Sequence, residues 1–127
     1  MSNNLDYLNR VYLKIDLDKI CNNIKEVMNK VGKDTKVMAV VKADAYGHGA
    51  IEVTKALSEI GTYGFAVATV GEALALRRAG ITKPILILDF VFPNQFETII
   101  RNDIMLTIFR YEIAKELNEA AEQMGTT

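Results

Sequence analysis

The 127-residue sequence has one cysteine, one histidine, no tryptophan and two prolines. A lone thiol, Cys21, cannot build a disulfide framework or a cysteine-rich metal site. His48 has no evident histidine or carboxylate partner, so no metal is expected. No apolar run approaches the ~20 residues of a membrane span. The first ten residues are polar and do not resemble a secretory leader. Lys plus Arg is 15 against 16 for Asp plus Glu, which makes no electrostatic case for nucleic acid or for an anionic membrane. These absences lead to the expectation of a soluble protein of a reducing compartment, the cytoplasm. What is present is core material. Apolar residues make up 50% and charged residues 24%, the balance of one ordinary folded domain.

Strand signals and helix signals alternate. Val11 to Leu17 alternates as a half-buried strand does. Asp16 and Asp18 suit a helix start, and Ile20, Ile24, Val27, Met28 and Val31 recur at helical spacing before Gly32. Lys36 to Val41 (KVMAVV) is a valine-rich run of the kind buried on both faces of a parallel sheet. Then come a loop with Gly47 and Gly49, a helix from about Ile51 to Ile60, and a strand from Phe65 to Ala68. Thr69 and Glu72 have capping-box spacing ahead of a helix that ends at Gly80. Ile85 to Leu88 is a further strand. Pro93 opens a helix ending near Arg101, Ile104 to Phe109 reads as a strand, and a last helix carries Ile113, Leu117, Ala120, Ala121 and Met124 on one face.

Strands spaced one helix apart predict an α/β fold of parallel β-α units. Right-handed connections leave either a doubly wound sheet or a (β/α)₈ barrel. A barrel takes about 250 residues, so this chain could supply about half of one. A half barrel leaves open strand edges. The chain is therefore expected to be part of a longer protein; the alternative is a complete small open-sheet domain.

The segment Ala39 to Ala50, AVVKADAYGHGA, carries the chemistry. Lys42 closes a buried parallel strand, and strand C-terminal ends face the ligand crevice in such folds. A partly desolvated lysine in its neutral form is a nucleophile that forms an imine with an aldehyde. The Tyr46 hydroxyl, four residues on, can hydrogen-bond a phosphate oxygen. Gly47 and Gly49 would let backbone approach a ligand closely. Together these suit an aldehyde cofactor bearing a phosphate. Taken singly, each residue has a plainer reading. Lys42 would be a snorkelling lysine and Tyr46 a tyrosine with a satisfied hydroxyl. Asp44 would order the loop, Arg77 and Arg78 would form a solvated helix face, and Met28, Met38, Met105 and Met124 would fill the core.

The string KADAYGHG resembles the cofactor-lysine signature of alanine racemases. FAVATVGEALALRRAGI (Phe65 to Ile81), PILIL (Pro84 to Leu88) and MLTIFR (Met105 to Arg110) resemble later stretches of the same family, so the resemblance runs from about Val11 onward. It implies the N-terminal part of a (β/α)₈ barrel with strands ending at Val41, Ala68, Leu88 and Phe109. The Val11 to Leu17 strand would join a C-terminal β domain. That domain and the second half of the barrel would be absent from this chain, which as a whole, 1–127, would be a partial barrel domain.

The resemblance further implies pyridoxal 5'-phosphate as cofactor. Lys42 would be the lysine that holds it and the base on one face of the substrate. Tyr46 would contact the phosphate, and Val40 and Leu88 would line the cofactor site. The implied activity is interconversion of L-alanine and D-alanine for peptidoglycan, carried out by a homodimer in the full-length family. Inversion needs acid–base groups on both faces. The second is a tyrosine of the partner subunit's C-terminal domain in the family, so the isolated chain is expected to lack activity. Two other readings stand beside this one. The chain could serve another amino acid or carry pyridoxal phosphate without catalysis, or it could be a cofactor-free fragment that self-associates through open strand edges.

Overall fold

The computed structural model describes residues 11–127. Among them, helix α1 spans Leu17–Val31, strand β1 Met38–Val40, the short turn α2 Lys42–Gly47, α3 Ala50–Glu59, β2 Gly64–Val67 and α4 Val70–Arg78. Strand β3 then spans Ile85–Ile87, a 3₁₀ turn Pro93–Gln95, α5 Phe96–Arg101, β4 Met105–Leu106 and α6 Tyr111–Gln123. The strands form one sheet in the order β1-β2-β3-β4. Every neighbouring pair is parallel, with Val40 beside Ala66, Ala66 beside Leu86, and Leu86 beside Met105. The expected alternation of parallel strands and helices is present.

The two faces of the sheet differ. Ala39, Val41, Phe65, Val67, Ile85 and Ile87 point to the helices and form the centre of the core. Side chains alternate between faces along a strand. Val40, Ala66, Leu86 and Met105 therefore share the other face, where Val40 is 45% and Met105 40% exposed. The expectation that the Lys36–Val41 run is buried on both sides is thus corrected. On that face Val40 and Met105 are exposed while Ala66 between them is buried, so Met105 does not fill the core.

Two other expectations fail for related reasons. Residues 11–16 form no strand, and Val11, Tyr12 and Leu13 are exposed. The apolar alternation is there, but no described strand pairs with it, and its exposed backbone groups are left to water. In α1, Leu17, Ile20 and Ile24 pack on the core while Val27 and Val31 stay exposed. The helix crosses the core with its first half only.

Local chemistry sets the helix ends. Asp16, not Asp18, is the N-cap of α1, its Oδ1 accepting from the Lys19 N–H at 3.1 Å. Asp16→Ala should cost about 1 kcal/mol of stability, read by thermal denaturation. Thr69 and Glu72 form the predicted capping box of α4. Gly64 is where β2 and β3 meet most closely, since a Cβ there would lie 2.5 Å from the Pro84 carbonyl oxygen.

Arg77 is not the solvated residue expected. Its Nε donates to the Asn102 carbonyl at 2.9 Å, one terminal nitrogen to those of Ile81 and Lys83 at 2.8 Å each, and the other to Asp103 at 2.6 Å. Helical periodicity places Arg77 on a polar face. It does not show that two loops fold back over that face with unpaired carbonyls, which a planar guanidinium can satisfy together.

Candidate active site

The C-terminal ends of the strands lie along one rim. There Val41 N–H donates to the Ala66 carbonyl and Leu88 N–H to that of Val67, so the ladder continues one residue past β1 and β3. Lys42, half-buried, follows directly at the tip of β1. Val40, two residues before it, is on the open face. Leu88 has the parity of Leu86, also on the open face, and is half-buried. Two strand spacings separate β1 from β3, about 10 Å. Val40 and Leu88 thus share a face, and Lys42 follows at the rim where β1 ends.

After Lys42 the chain takes a turn that its residue types do not announce. Ala43, Asp44, Ala45 and Tyr46 all adopt left-handed helical angles, with φ of 50°, 54°, 52° and 56°. For L-residues this costs about 1–2 kcal/mol each, so surrounding contacts must hold the turn. Several do. Ala45 N–H donates to the Val41 carbonyl at 2.9 Å, and Gly49 N–H to that of Asp44 at 3.0 Å. The Asp44 carboxylate accepts from the Ala50 N–H at 2.8 Å, which ties the turn to the start of α3. His48 Nδ1 donates to the Ala45 carbonyl at 2.8 Å. Asp44 is therefore a loop-ordering residue, as expected, and His48 has a structural bond that accounts for its place in the motif. Strain concentrated in this way is a mark of functional sites.

The glycines contribute by conformation. Gly47 and Gly49 have φ of +86° and +88°, and a Cβ added to either would meet nothing within 4 Å. They reverse the chain after the left-handed turn, and no part of the chain crowds them. Tyr46, the last residue of the left-handed turn before Gly47, is 61% exposed.

Glu72 completes the arrangement. One carboxylate oxygen accepts from Ala68 N–H at 2.7 Å and Thr69 N–H at 3.2 Å, at the end of β2. The other accepts from Ala43 N–H at 2.7 Å, at the end of β1. The capping-box spacing announces the contact with Thr69. The contact with Ala43, 29 residues earlier, is a product of the parallel pairing of β1 with β2 and has no local signal.

The residues present fit an aldehyde cofactor bearing a phosphate. They offer an amine at a strand tip, a free-standing tyrosine ring one turn on, and apolar side chains on the adjoining face. Fold and site together define a parallel β-α chain whose one chemically distinctive rim is built around a lysine. Residues 15–127 match the family described as alanine racemase, N-terminal domain. The chain belongs to that family. It is 46% identical over 115 residues to an alanine racemase of Methanococcus maripaludis, covering 91% of this chain and 31% of that protein. Among solved structures, alanine racemase of Clostridium difficile 630 superposes with a TM-score of 0.78 at 42% identity, over 86% of this chain and 28% of the other. Alanine racemase from Bacillus anthracis with bound L-Ala-P gives 0.76 at 42% identity, over 85% and 27%. The chain thus spans about 30% of the length of the relatives it matches.

Proposed function

We propose that this chain is the cofactor-lysine portion of a pyridoxal-phosphate-dependent alanine racemase. It contributes four strands and the Lys42 turn of an eight-stranded barrel, whose remaining strands cover the face that carries Val40 and Met105. A second domain completes the protein, and the exposed Val11 to Ile15 segment ahead of α1 pairs there. The assembled enzyme is a cytoplasmic homodimer that interconverts L- and D-alanine for peptidoglycan. The observation that carries this reading is half-buried Lys42 at the tip of β1, followed by a strained turn that several hydrogen bonds hold in place.

Lys42 would hold the cofactor aldehyde, and its Nζ, freed when the substrate amine takes its place, would take or return the substrate Cα proton on one face. Tyr46 binds a phosphate oxygen through its hydroxyl. Val40 and Leu88 line the site and exclude water. Bound pyridoxal phosphate supplies an electron sink for the charge left when that proton departs. A proton must also move on the opposite face, and Lys42 serves only one. The chain by itself is therefore expected to yield no D-alanine from L-alanine.

The test is spectroscopic. Added pyridoxal phosphate should produce a band near the visible that shifts on borohydride reduction, with no D-alanine in a chiral assay. A colourless protein that takes up none of the cofactor would favour the self-associating fragment, and size-exclusion chromatography would then show association. D-alanine formed by the purified chain would refute the need for a second group outside it.

A further inference from the structure

The Glu72 carboxylate joins the ends of two strands. On one side it closes the cap of α4 through Thr69 and Ala68. On the other it holds the N–H of Ala43, the residue bonded directly to Lys42 and the first of the left-handed turn. That N–H has no helical partner, since it opens the turn. A cap alone needs one carboxylate oxygen; the second is committed here to the neighbouring strand's tip. Glu72 is half-buried, while Ala43 and the bond between them lie at the exposed rim.

We propose that Glu72 is the positioning residue of the Lys42 amine: it fixes the peptide between Lys42 and Ala43 and so sets the direction in which the lysine side chain leaves β1. The inference rests on the assignment of Lys42 as the cofactor lysine. Its ligand is the same phosphorylated aldehyde. Glu72 touches neither that ligand nor the reacting atoms.

Three variants separate positioning from simple stabilisation. Thr69→Ala removes the hydroxyl half of the capping box and leaves the carboxylate in place. Glu72→Ala removes both halves of the bridge. Glu72→Gln keeps the size. Its single carbonyl oxygen can satisfy the two N–H groups of Ala68 and Thr69, while its NH₂ faces Ala43 N–H and cannot accept from it. Each protein is incubated with pyridoxal phosphate and reduced with borohydride. The fraction of label on Lys42, relative to the other lysines, is read by peptide mass mapping, and hydrogen exchange at the Ala43 amide is followed without cofactor.

Wild type and Thr69→Ala should agree within about twofold in Lys42 selectivity, whereas Glu72→Gln should lose on the order of tenfold. Glu72→Gln should also expose the Ala43 amide to exchange at a nearly unchanged melting temperature. Glu72→Ala should behave like Glu72→Gln in labelling and melt lower. Unchanged Lys42 selectivity in Glu72→Gln, with wild type labelled at Lys42, would overturn the positioning role. Absence of preferred labelling in wild type would overturn the cofactor assignment itself, and the positioning role with it.

Discussion

Arg77→Ala is expected to destabilise the chain by about 2–4 kcal/mol. Arg77 satisfies four carbonyl oxygens, those of Asn102, Ile81, Lys83 and Asp103. Two belong to the loop that leads into β3 and two to the turn that leads into β4. Asp103 in that turn is left-handed, with φ of 50°, so the turn carries strain that the guanidinium helps to hold. Hydrogen bonds to a charged group contribute about 1.5–3 kcal/mol each. The carbonyls can partly recover water when Arg77 is removed, which is why the total stays well below four such bonds. In thermal unfolding followed by circular dichroism, a loss of this size lowers the midpoint by about 10 °C. Arg77→Lys should recover less than half of it, because one ammonium cannot reach two loops in the same plane. A midpoint for Arg77→Ala within about 2 °C of wild type would show that these bonds add nothing net.

Lys42→Ala should abolish the cofactor-dependent absorbance band while leaving the fold intact. Lys42 makes no ion pair with any described residue and is half-buried at the end of a strand. Removing its side chain breaks no internal bond, and the stability change should stay within about 0.5 kcal/mol, as for surface positions. Selective loss of binding without loss of fold distinguishes an amine with a chemical role from a snorkelling lysine, for which the spectrum would not change. Persistence of the full band in folded Lys42→Ala would assign the adduct to another lysine.

The parts of this structure that were legible from the sequence are those set by short-range rules. The valine- and isoleucine-rich runs mark β1, β2 and β3 because parallel strands bury apolar side chains, and glycines mark the helix ends. The Thr69–Glu72 spacing marks a cap because both bonds lie within one turn. Val11 to Leu17 misleads for the converse reason. Its alternation is a property of the residues, but a strand exists only with a partner, and no described strand provides one. In the candidate site the residue types stand out in the sequence, but their conformation does not. Lys42, Tyr46, Gly47 and Gly49 stand out in KADAYGHG, yet alanine at positions 43 and 45 gives no hint of a left-handed turn. Tertiary bonds from Glu72 and from Asp44 to the start of α3 help hold that turn against its intrinsic preference. Arg77 was missed in the same way, since a residue's distant carbonyl partners leave no mark on helical spacing. For long-range contacts of this kind the fold supplies the information.

Of the ten lysines, Lys42 is the one expected to capture a phosphorylated aldehyde selectively. The direct test is borohydride reduction of the wild-type chain with one equivalent of pyridoxal phosphate, followed by peptide mass mapping. The added pyridoxyl mass is expected on the peptide that contains Lys42. Label spread evenly over the surface lysines, or found on any other single one, would contradict it.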